Sequence, residues 1–366
     1  MRISAAVVRE PEGKFTIEDV ELDAPGPGEV LVEVHSVGMC HTDIGVRNQW
    51  LPMPLPAVLG HEGAGVVSAV GDGVSAVAPG DKVVLTFNFC GECPMCSGGE
   101  PAYCLNFLAH NFAGSRLDGT NALHADGGLH GNYFGQSSFA SHAIANERNV
   151  VKLGADADLA LVGPLGCGLL TGAGTVFNTF SPSPEQTVAV FGSGAVGLAA
   201  VMAAKVVGCR AIVAVDRVPA RLELARQLGA THTIDTSGVE DVPAAVREAT
   251  GMGADFAVDT TAVPAVMRAC VSSLAPRGTA GLLGLGLPGT ELSIDMLELA
   301  VPGRKVVGVI EGDADPHTMI PRLVELQAEG RFPFEKLVKA YPFEAINQAV
   351  EDSESGVTLK PVLTLV

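Results

Sequence analysis

The sequence TVAVFGSGAVGLAA at residues 187–200 decides the fold, because it joins an apolar segment to a glycine-rich turn and then to a helical pattern. The pattern predicts a strand over 187–191 and a helix over 195–207. The glycines permit a tight turn and a close approach of the backbone, and the start of the helix offers free N–H groups to a pyrophosphate. The residues expected to contact a dinucleotide here are Gly192, Gly194, Ala195, Val196 and Gly197.

Strand and helix patterns continue to alternate after this turn. A helix is predicted over 219–228, and strands are predicted over 211–216, 255–260, 279–285 and 305–310. Such alternation is typical of an α/β domain with a parallel, doubly wound sheet.

Asp216 ends the strand that follows the glycine-rich turn, 19 residues after Gly197. A carboxylate there accepts hydrogen bonds from the ribose 2′-hydroxyl of NAD and repels the 2′-phosphate of NADP. The sequence therefore favours NAD, although the neighbouring Arg217 can weaken that preference. The alternative is that the glycines only pack a helix on a strand and that Asp216 only caps a helix.

The first 150 residues show a different pattern, with short valine-rich segments separated by Gly, Pro and Asp turns. Two of these segments, 30–34 and 65–70, are predicted strands, so this region is β-rich.

The chain ends with a predicted helix over 317–329 and a strand-like segment over 359–366. We expect this tail to return to the first domain. The expected organisation is one domain from 1–165 and 312–366, with a nucleotide-binding domain from 166–311 inserted into it.

Four of the eight cysteines lie in CGECPMC and at a position eight residues further on. Four thiolates with this spacing can surround one tetrahedral Zn²⁺ ion and close its coordination, which makes the site structural. Disulfides are the alternative, but they need an oxidising compartment, and the N-terminus has no apolar core of signal-peptide length. The zinc lobe is expected over residues 88–106, with the ligands Cys90, Cys93, Cys96 and Cys104.

A second, dispersed set of residues can form a metal site with an open position. Cys40, His61 and Cys167 supply two thiolates and an imidazole, and the fourth position stays available for a substrate. A ligating histidine needs a partner for its other ring nitrogen, and Asp43 is the predicted partner of His61. Glu62 is a further acidic residue that can face the ion.

A metal with an open position, combined with a nicotinamide nucleotide, predicts hydride transfer. An alcohol oxygen that binds Zn²⁺ becomes more acidic because the cation stabilises the alkoxide, which can then give hydride to NAD. In the reverse direction the same ion polarises an aldehyde carbonyl.

Composition limits the partners and the location. The chain has 366 residues, enough for two domains, and a net charge of −18 from 41 acidic and 23 basic side chains. That charge repels nucleic acid and anionic membranes, so we expect a small-molecule substrate. No stretch reaches the ~20 apolar residues of a membrane span, and the expected location is the cytoplasm.

Over essentially its whole length the chain resembles the zinc-dependent medium-chain alcohol dehydrogenases. The matching motifs are GMCHTD at 38–43, GHEGAG at 60–65, the four-cysteine lobe, PLGCGLLTGAGT at 164–175, the glycine-rich turn and TLKPVLTLV at 358–366. FGQSSFA at 134–140 and ERN at 147–149 are most similar to the aryl (benzyl-type) alcohol dehydrogenase branch. The resemblance implies a chaperonin-10 (GroES)-like, β-rich catalytic domain, a Rossmann domain and a homodimer or homotetramer.

The resemblance also implies roles for single residues. Two Zn²⁺ ions per subunit are implied, and the catalytic one would be held by Cys40, His61 and Cys167. Thr42 would take the alcohol proton. His41 and Lys360 would face the pyrophosphate of the cofactor, and Arg221 would approach its adenosine ribose. Residues near the substrate, unless they only pack the core, would be Trp50, Leu51, Phe87, Tyr133 and Phe134.

One position departs from the family pattern. Many members have a histidine five residues after the first zinc cysteine, which passes the proton from the ribose to solvent, but this chain has Gly45 there. The relay from Thr42 must then end in water or in another base. We expect that this base is not His41, which would be occupied with phosphate.

The predicted function is the reversible, NAD-dependent oxidation of primary aromatic or allylic alcohols, of the benzyl alcohol type, to aldehydes. The alternative within the family is a thiol-dependent formaldehyde dehydrogenase, in which Arg47 and Arg116 would hold the carboxylates of the adduct. A polyol dehydrogenase is disfavoured because that branch usually has Glu in the place of Cys167. A zinc-free nucleotide-binding protein is the non-enzymatic alternative, and the full ligand set argues against it.

Overall fold

The strand predicted from the glycine-rich stretch lies in the middle of a six-stranded sheet. The computed structural model describes residues 1–366, and the chain divides into two compact units. Unit 1 contains Met1–Gly168, Asp315–Glu325 and Glu335–Val366, and unit 2 contains Leu169–Ala314 and Leu326–Phe334.

The regular elements are numbered in chain order. The strands are β1 (Arg2–Val8), β2 (Thr16–Leu22), β3 (Glu29–Gly38), β4 (Ala57–Val58), β5 (Gly63–Val70), β6 (Lys82–Leu85), β7 (Leu123–His124), β8 (His142–Asn146), β9 (Val150–Lys152), β10 (Thr187–Phe191), β11 (Ala211–Asp216), β12 (His232–Asp235), β13 (Ala254–Asp259), β14 (Leu274–Leu282), β15 (Lys305–Gly308), β16 (Val338–Pro342) and β17 (Lys360–Thr364). The α-helices are α1 (His41–Arg47), α2 (Pro94–Ser97), α3 (Phe107–Phe112), α4 (Gly168–Gly174), α5 (Ala195–Val207), α6 (Pro219–Leu228), α7 (Val242–Thr250), α8 (Pro264–Ser272), α9 (Met296–Ala300), α10 (Pro316–Ala328) and α11 (Ile346–Glu354). A π-helix spans Thr175–Phe180, and 3₁₀ helices span Pro101–Tyr103, Tyr133–Gly135, Glu147–Asn149, Gly163–Gly166, Glu311–Asp313, Phe334–Leu337 and Phe343–Ala345.

The sheet of unit 2 is parallel, with the strand order β12-β11-β10-β13-β14-β15. The chain builds outward from β10 to β12 and then returns to the other side of β10 to form β13. In doubly wound sheets, ligands bind beyond the carboxyl ends of the strands at such a reversal. The glycine-rich turn follows β10 and therefore lies at this place.

Helix α5 packs closely on this sheet because its sequence is small and apolar. Every residue from Gly197 to Ala204 is buried. A Cβ atom on Gly197 would lie 1.9 Å from the carbonyl oxygen of Gly192, so only glycine allows this approach. The helix ends at Gly208, whose φ of 84° is a left-handed conformation that glycine adopts without strain.

Strand β3 is the centre of the largest sheet of unit 1, and it pairs with β5, β8 and β17. Its last residue, Gly38, lies opposite Val362 of β17, and the preceding residue lies opposite Gly63, which begins β5. The end of β3 and the starts of β5 and β17 therefore meet. Cys40 follows β3 and His61 precedes β5, so the register of the sheet brings these two ligand candidates to one place.

Most elements predicted from the sequence are confirmed, and the differences lie at their ends. Helices α5 and α6 have the predicted bounds. The strand predicted over 279–285 instead spans 274–282, and the one predicted over 305–310 ends at Gly308. Both end there because Leu282 pairs with Asp259, the last residue of β13, on one side and with Gly308 on the other.

The segment over 110–130, which is rich in Gly and Asn, begins inside α3 and contains β7. The elements of unit 2 that were not predicted include β12, α7, α8 and α9, in which apolar residues are interrupted by charged and small ones. No helix of the chain combines the length and the apolar character that crossing a membrane requires.

Candidate active site

Four side chains that are far apart in the sequence converge in unit 1. The ligand-type atoms of Cys40, His61, Glu62 and Cys167 all lie within 4.8 Å of one another. Cys40 precedes α1, His61 and Glu62 lie just before β5, and Cys167 follows the 3₁₀ helix Gly163–Gly166. Two sulfurs, a ring nitrogen and a carboxylate at this separation form a donor set that suits Zn²⁺.

The environment of His61 supports this assignment. Its Nδ1 lies 2.9 Å from Oδ1 of Asp43, while its Nε2 is buried and has no hydrogen-bond partner. A buried polar atom without a partner is costly, and a metal ion at Nε2 would satisfy it. Oε2 of Glu62 is a second buried acceptor without a partner in the same cluster. The residues present therefore fit a zinc ion.

Asp43 connects the segments that carry the ligands. Its Oδ1 faces Nδ1 of His61 and accepts the N–H of Gly60 at 3.2 Å, and its Oδ2 accepts the N–H of Cys40 at 2.9 Å. The side chain is fully buried. These contacts fix the imidazole and the Cys40 backbone relative to each other.

Electrostatic interactions favour a thiolate and a protonated imidazole in this cluster. The hydrogen bond with Cys167 lowers the pKa of Cys40 well below its usual range despite burial, and the charge of Lys360 adds to this effect. Burial acts to lower the pKa of His61, but the Asp43 carboxylate and Cys40 outweigh it and raise that pKa well above its usual range. Cys40 is thus prepared for a metal, whereas a metal would have to displace a proton from His61.

Lys360 is the only lysine or arginine among the buried residues. Its Nζ donates to Oε1 of Glu62 at 2.7 Å and to the carbonyl oxygen of Met39 at 3.2 Å. Burial acts to lower the pKa of Lys360, but the charges of Glu62 and Cys40 raise it above its usual range, so the side chain stays charged. Burial raises the pKa of Glu62 to about 7, although Lys360 acts against this shift. The contact of Lys360 with a pyrophosphate, which the resemblance implies, stays a prediction.

Aromatic side chains enclose His61. Phe134 stacks on the imidazole with 4.4 Å between the ring centroids and 26° between the planes, and Tyr133 meets it edge-on at 5.4 Å. Phe107 and Phe112 pack against Phe134 in turn. The φ of Phe134 is 51°, which is strained for a bulky residue and indicates a constrained segment.

Gln136 is a positioning residue that the sequence did not indicate. Its amide nitrogen donates to the carbonyl oxygens of His61 at 2.9 Å and Thr86 at 3.1 Å, and its Oε1 accepts the N–H of Gly63 at 3.2 Å. These bonds fix the backbone on both sides of Glu62. Gln136 lies 75 positions from His61, and no spacing rule connects them.

The four cysteines of the lobe also converge. The sulfurs of Cys90, Cys93, Cys96 and Cys104 lie within 4.8 Å of one another, and no disulfide links any of the eight cysteines. Backbone N–H groups lower the pKa of Cys93 to about 6. Four sulfurs in this arrangement suit a closed, tetrahedral zinc site.

In unit 2 the carboxylate of Asp216 is fixed by three backbone N–H groups, one from the glycine-rich turn after β10 and two from the residues that follow β11. Its Oδ2 accepts the N–H of Ser193 at 2.6 Å, and its Oδ1 accepts the N–H groups of Arg217 and Val218 at 2.8 and 2.9 Å. A carboxylate can accept about four hydrogen bonds, so capacity remains for a ribose hydroxyl.

The remaining predicted residues differ in their surroundings. Oγ1 of Thr42 lies 3.6 Å from Sγ of Cys40, and the buried ring of Phe87 packs against Phe89 and Phe107. Leu51 and Arg221 are half-buried, whereas His41, Trp50 and Arg217 are exposed. Thr42 is therefore beside the cluster, and Phe87 belongs to the aromatic group that reaches His61.

Two protein-family models match the chain. Residues 26–155 match the alcohol dehydrogenase GroES-like domain, and residues 195–328 match the zinc-binding dehydrogenase family. The fold and the site define a zinc-binding oxidoreductase, and the chain belongs to the zinc-dependent medium-chain alcohol dehydrogenase family. The predicted combination of a GroES-like domain and a nucleotide-binding domain is confirmed.

Several relatives cover nearly all of the chain. The geraniol dehydrogenase of Castellaniella defragrans is 44% identical over 98% of this chain and 96% of that protein. An alcohol dehydrogenase zinc-binding domain protein from Burkholderia ambifaria has a solved structure that is 50% identical, with a TM-score of 0.98, and covers 100% of this chain and 99% of that one. The benzyl alcohol dehydrogenase of Acinetobacter calcoaceticus is 43% identical, with a TM-score of 0.97 and 100% of both chains covered.

Proposed function

We propose that the protein catalyses the reversible, NAD-dependent oxidation of primary aromatic or allylic alcohols to aldehydes at a zinc site formed by Cys40, His61 and Cys167. The observation that carries the proposal is the convergence of these three ligands around a buried imidazole nitrogen that has no other partner. Bound there, Zn²⁺ would act as a Lewis acid that lowers the pKa of the alcohol. One further zinc in the four-cysteine lobe gives the proposed two per chain.

The neighbouring side chains supply orientation and proton transfer. Asp43 holds the imidazole so that Nε2 faces the cluster. Thr42, beside Cys40, is the proposed first acceptor of the alcohol proton. Because Gly45 has no side chain that can pass the proton on, we propose that it continues from Thr42 to water or to another base.

The aromatic group beside His61 supports a flat, unsaturated substrate. Phe134 and Tyr133 offer ring faces and edges, which make favourable contacts with other π-systems. Two of the relatives are named for geraniol and benzyl alcohol. Both are primary alcohols with a π-bond next to the carbinol carbon, and this shared chemistry defines the proposed substrate class.

The alternative, a thiol-dependent formaldehyde dehydrogenase, needs arginines that are available to the carboxylates of its substrate. Arg47 lies 3.1 Å from Glu354, and Arg116 makes two hydrogen bonds to Glu29 at 2.6 and 2.9 Å. A guanidinium that already pairs with a carboxylate is a weak site for a second one. The structure therefore favours the alcohol over the adduct.

The proposal is tested by the initial rate of NADH formation on protein of known zinc content. Benzyl alcohol, geraniol, ethanol and a thiol–formaldehyde adduct are compared, each with NAD and NADP. We expect kcat/KM for benzyl alcohol or geraniol to exceed that for ethanol by about tenfold or more, because burying the larger apolar group contributes more than about 1.4 kcal/mol. Activity confined to the adduct would refute the substrate class, and a preference for NADP would refute the role of Asp216.

The location in the cytoplasm stays a prediction. We also propose that the chain forms a homodimer or a homotetramer. Strand β15 is an edge strand of the sheet of unit 2. The exposed apolar side chains that precede it are Leu285, Leu287, Met296, Leu297 and Val301. An open edge beside exposed apolar groups favours pairing with another chain. Light scattering should give the mass of two or four chains, and a monomer would contradict this proposal.

A further inference from the structure

A cavity of unit 1 lies outside the catalytic cluster and has a strongly polar lining. Its volume is about 160 Å³. By the same measure one water molecule needs about 10–15 Å³, so the cavity has room for a ligand of several atoms. None of its residues is a metal-ligand candidate. The side chains that decide its chemistry are Glu29, Asn88, His110, Arg116, Asn146 and Arg148.

His110 is a buried side chain of this lining with unused hydrogen-bonding capacity. It belongs to α3 and is 5% exposed, and its Nε2 is buried without a hydrogen-bond partner. A buried polar atom without a partner is costly. Because no protein group holds Nε2, the imidazole keeps capacity for a ligand in the cavity that it lines.

Arg148 brings a positive charge that no ion pair neutralises. Its Nε donates to the carbonyl oxygen of Phe89 at 3.0 Å, which leaves the other N–H groups of the guanidinium available. The adjacent carboxylate, Glu147, accepts the N–H groups of Ser75 and Ala76 instead. The charge of Arg148 therefore stays available to a ligand.

Arg148 also acts on His110. Burial lowers the pKa of His110, and the charge of Arg148 lowers it further. The guanidinium is thus close enough to the ring to disfavour a second positive charge there. An anion that contacts both side chains would be attracted by the guanidinium and would stabilise the protonated ring.

The other two charged side chains of the cavity neutralise each other. Arg116 donates to both carboxylate oxygens of Glu29, at 2.6 and 2.9 Å, and Oε2 of Glu29 also accepts the N–H of Gly26 at 2.8 Å. Two arginines and one glutamate leave the lining with an excess of one positive charge when His110 is neutral. This excess occurs in a chain whose net charge is −18. The cavity therefore favours a negative ligand.

Amide side chains add neutral donors. Oδ1 of Asn88 accepts the N–H of Phe89 at 2.9 Å, and Oδ1 of Asn146 accepts the N–H of Arg148 at 3.2 Å. Both amides keep an NH₂ group as a donor. Asn132, which also lines the cavity, is the exception, because its NH₂ group donates to a backbone carbonyl oxygen at 2.8 Å.

We propose that this cavity binds a small oxyanion, a phosphate-type or a carboxylate group, through the guanidinium of Arg148 and the imidazole of His110. A guanidinium can bind two oxygens of such a group, and charge-assisted hydrogen bonds of this kind are stronger than neutral ones. The site is independent of the alcohol substrate and of the zinc ligands, so it does not depend on the proposed function.

The test uses sulfate and acetate as separate probes of the two kinds of oxyanion. Each is titrated into zinc-loaded protein with ¹³C-labelled histidine, and the NMR signal of the His110 ring is followed after assignment by its loss in His110→Gln. We expect a saturable change with a Kd of about 1 mM or below for at least one probe. The bound anion should also raise the pKa of His110, because it stabilises the imidazolium. Saturation by sulfate alone identifies a phosphate-type ligand, and saturation by acetate alone identifies a carboxylate.

Variants show whether Arg148 holds the anion. Arg148→Gln should raise the Kd by about tenfold or more, and Arg148→Lys, which keeps the charge without the planar fork, should raise it by less. Arg2→Gln is the matched control, because it removes one positive charge from the same unit at a side chain that is 75% exposed and outside the cavity. It should leave the Kd within about twofold of the wild type.

Two results would overturn the proposal. One is a His110 signal that neither probe changes. The other is a Kd that stays within about twofold of the wild type in Arg148→Gln, or in Arg148→Lys if Arg148→Gln does not fold. The signal reports on the surroundings of the His110 ring, so an anion that binds at the glycine-rich turn of unit 2 does not imitate the expected result.

Discussion

Replacing Asp43 by Asn tests how the imidazole of His61 is held, because the change keeps the shape of the side chain and replaces an acceptor by a donor. In the structure Oδ1 of Asp43 faces Nδ1 of His61 and the N–H of Gly60, and Oδ2 accepts the N–H of Cys40. An amide has one acceptor oxygen and one NH₂ group. If the amide oxygen faces His61 and Gly60, the NH₂ group meets the N–H of Cys40. If the amide is rotated by 180°, the NH₂ group meets the N–H of Gly60 and Nδ1 of His61 instead.

In either orientation at least one N–H group of Cys40, which is part-buried, or of Gly60 or His61, which are buried, stays unpaired. An unpaired buried donor costs about 1–3 kcal/mol, which corresponds to a factor of about 5 to 150 in an equilibrium constant. This range includes the loss of about 10- to 100-fold that changes in the partners of metal ligands typically cause. We therefore expect Asp43→Asn to lower the zinc affinity of the catalytic site by about 10- to 100-fold.

The assay is chelator competition at one fixed pH, with thermal unfolding as a check of the fold. Asp81→Asn is the matched control, because Asp81 accepts the N–H of Ala78 at 2.9 Å in a turn of the same unit and is not part of the cluster. A folded Asp43→Asn variant that binds zinc within about twofold of the wild type would refute the reasoning, since it would show that no buried donor is lost.

Three further predictions concern pH, the proton path and the cofactor. Because Asp43 raises the pKa of His61 well above its usual range against the effect of burial, a proton competes with zinc below that pKa. Zinc affinity should therefore fall as the pH drops below this raised pKa, and a flat profile would contradict the competition. Gly45→His should change the pH profile of alcohol oxidation. Gly45→Ala is the control, because a Cβ at this position would make only ordinary contact, at 3.4 Å, with the side chain of Leu51. An unchanged profile would count against a missing relay. Asp216→Ser should raise the KM for NAD and reduce the preference for NAD over NADP by about tenfold or more, since it removes both the ribose acceptor and the repulsion of a 2′-phosphate. If the variant and the wild type have the same kinetics with NAD and the same kinetics with NADP, Asp216 does not have this role.

The sequence predicted elements well where the pattern is local. Helix α5 could be predicted to the residue because an apolar segment lies between Gly194 and Gly208, which mark its ends. The ends of β14 and β15 could not, because they depend on where the neighbouring strand stops.

The candidate site likewise has parts that could be predicted from the sequence and parts that could not. Clustered Cys and His residues have few other uses, so a metal could be predicted from residue type alone. The contact between Lys360 and Glu62 joins residues 298 positions apart, and no periodicity indicates it. It exists because β3 pairs with both β5 and β17, and that pairing is a property of the whole sheet.

The central claim is that Cys40, His61 and Cys167 hold the zinc at which primary aromatic and allylic alcohols are oxidised. The most direct test measures zinc content and the rate of NADH formation with benzyl alcohol and geraniol for the wild type and for Cys167→Ala. We predict two zinc ions per chain and a high rate for the wild type, and one zinc ion and no measurable rate for the variant. A variant that keeps the wild-type rate, or a wild type that holds two zinc ions and oxidises neither alcohol, would contradict the claim.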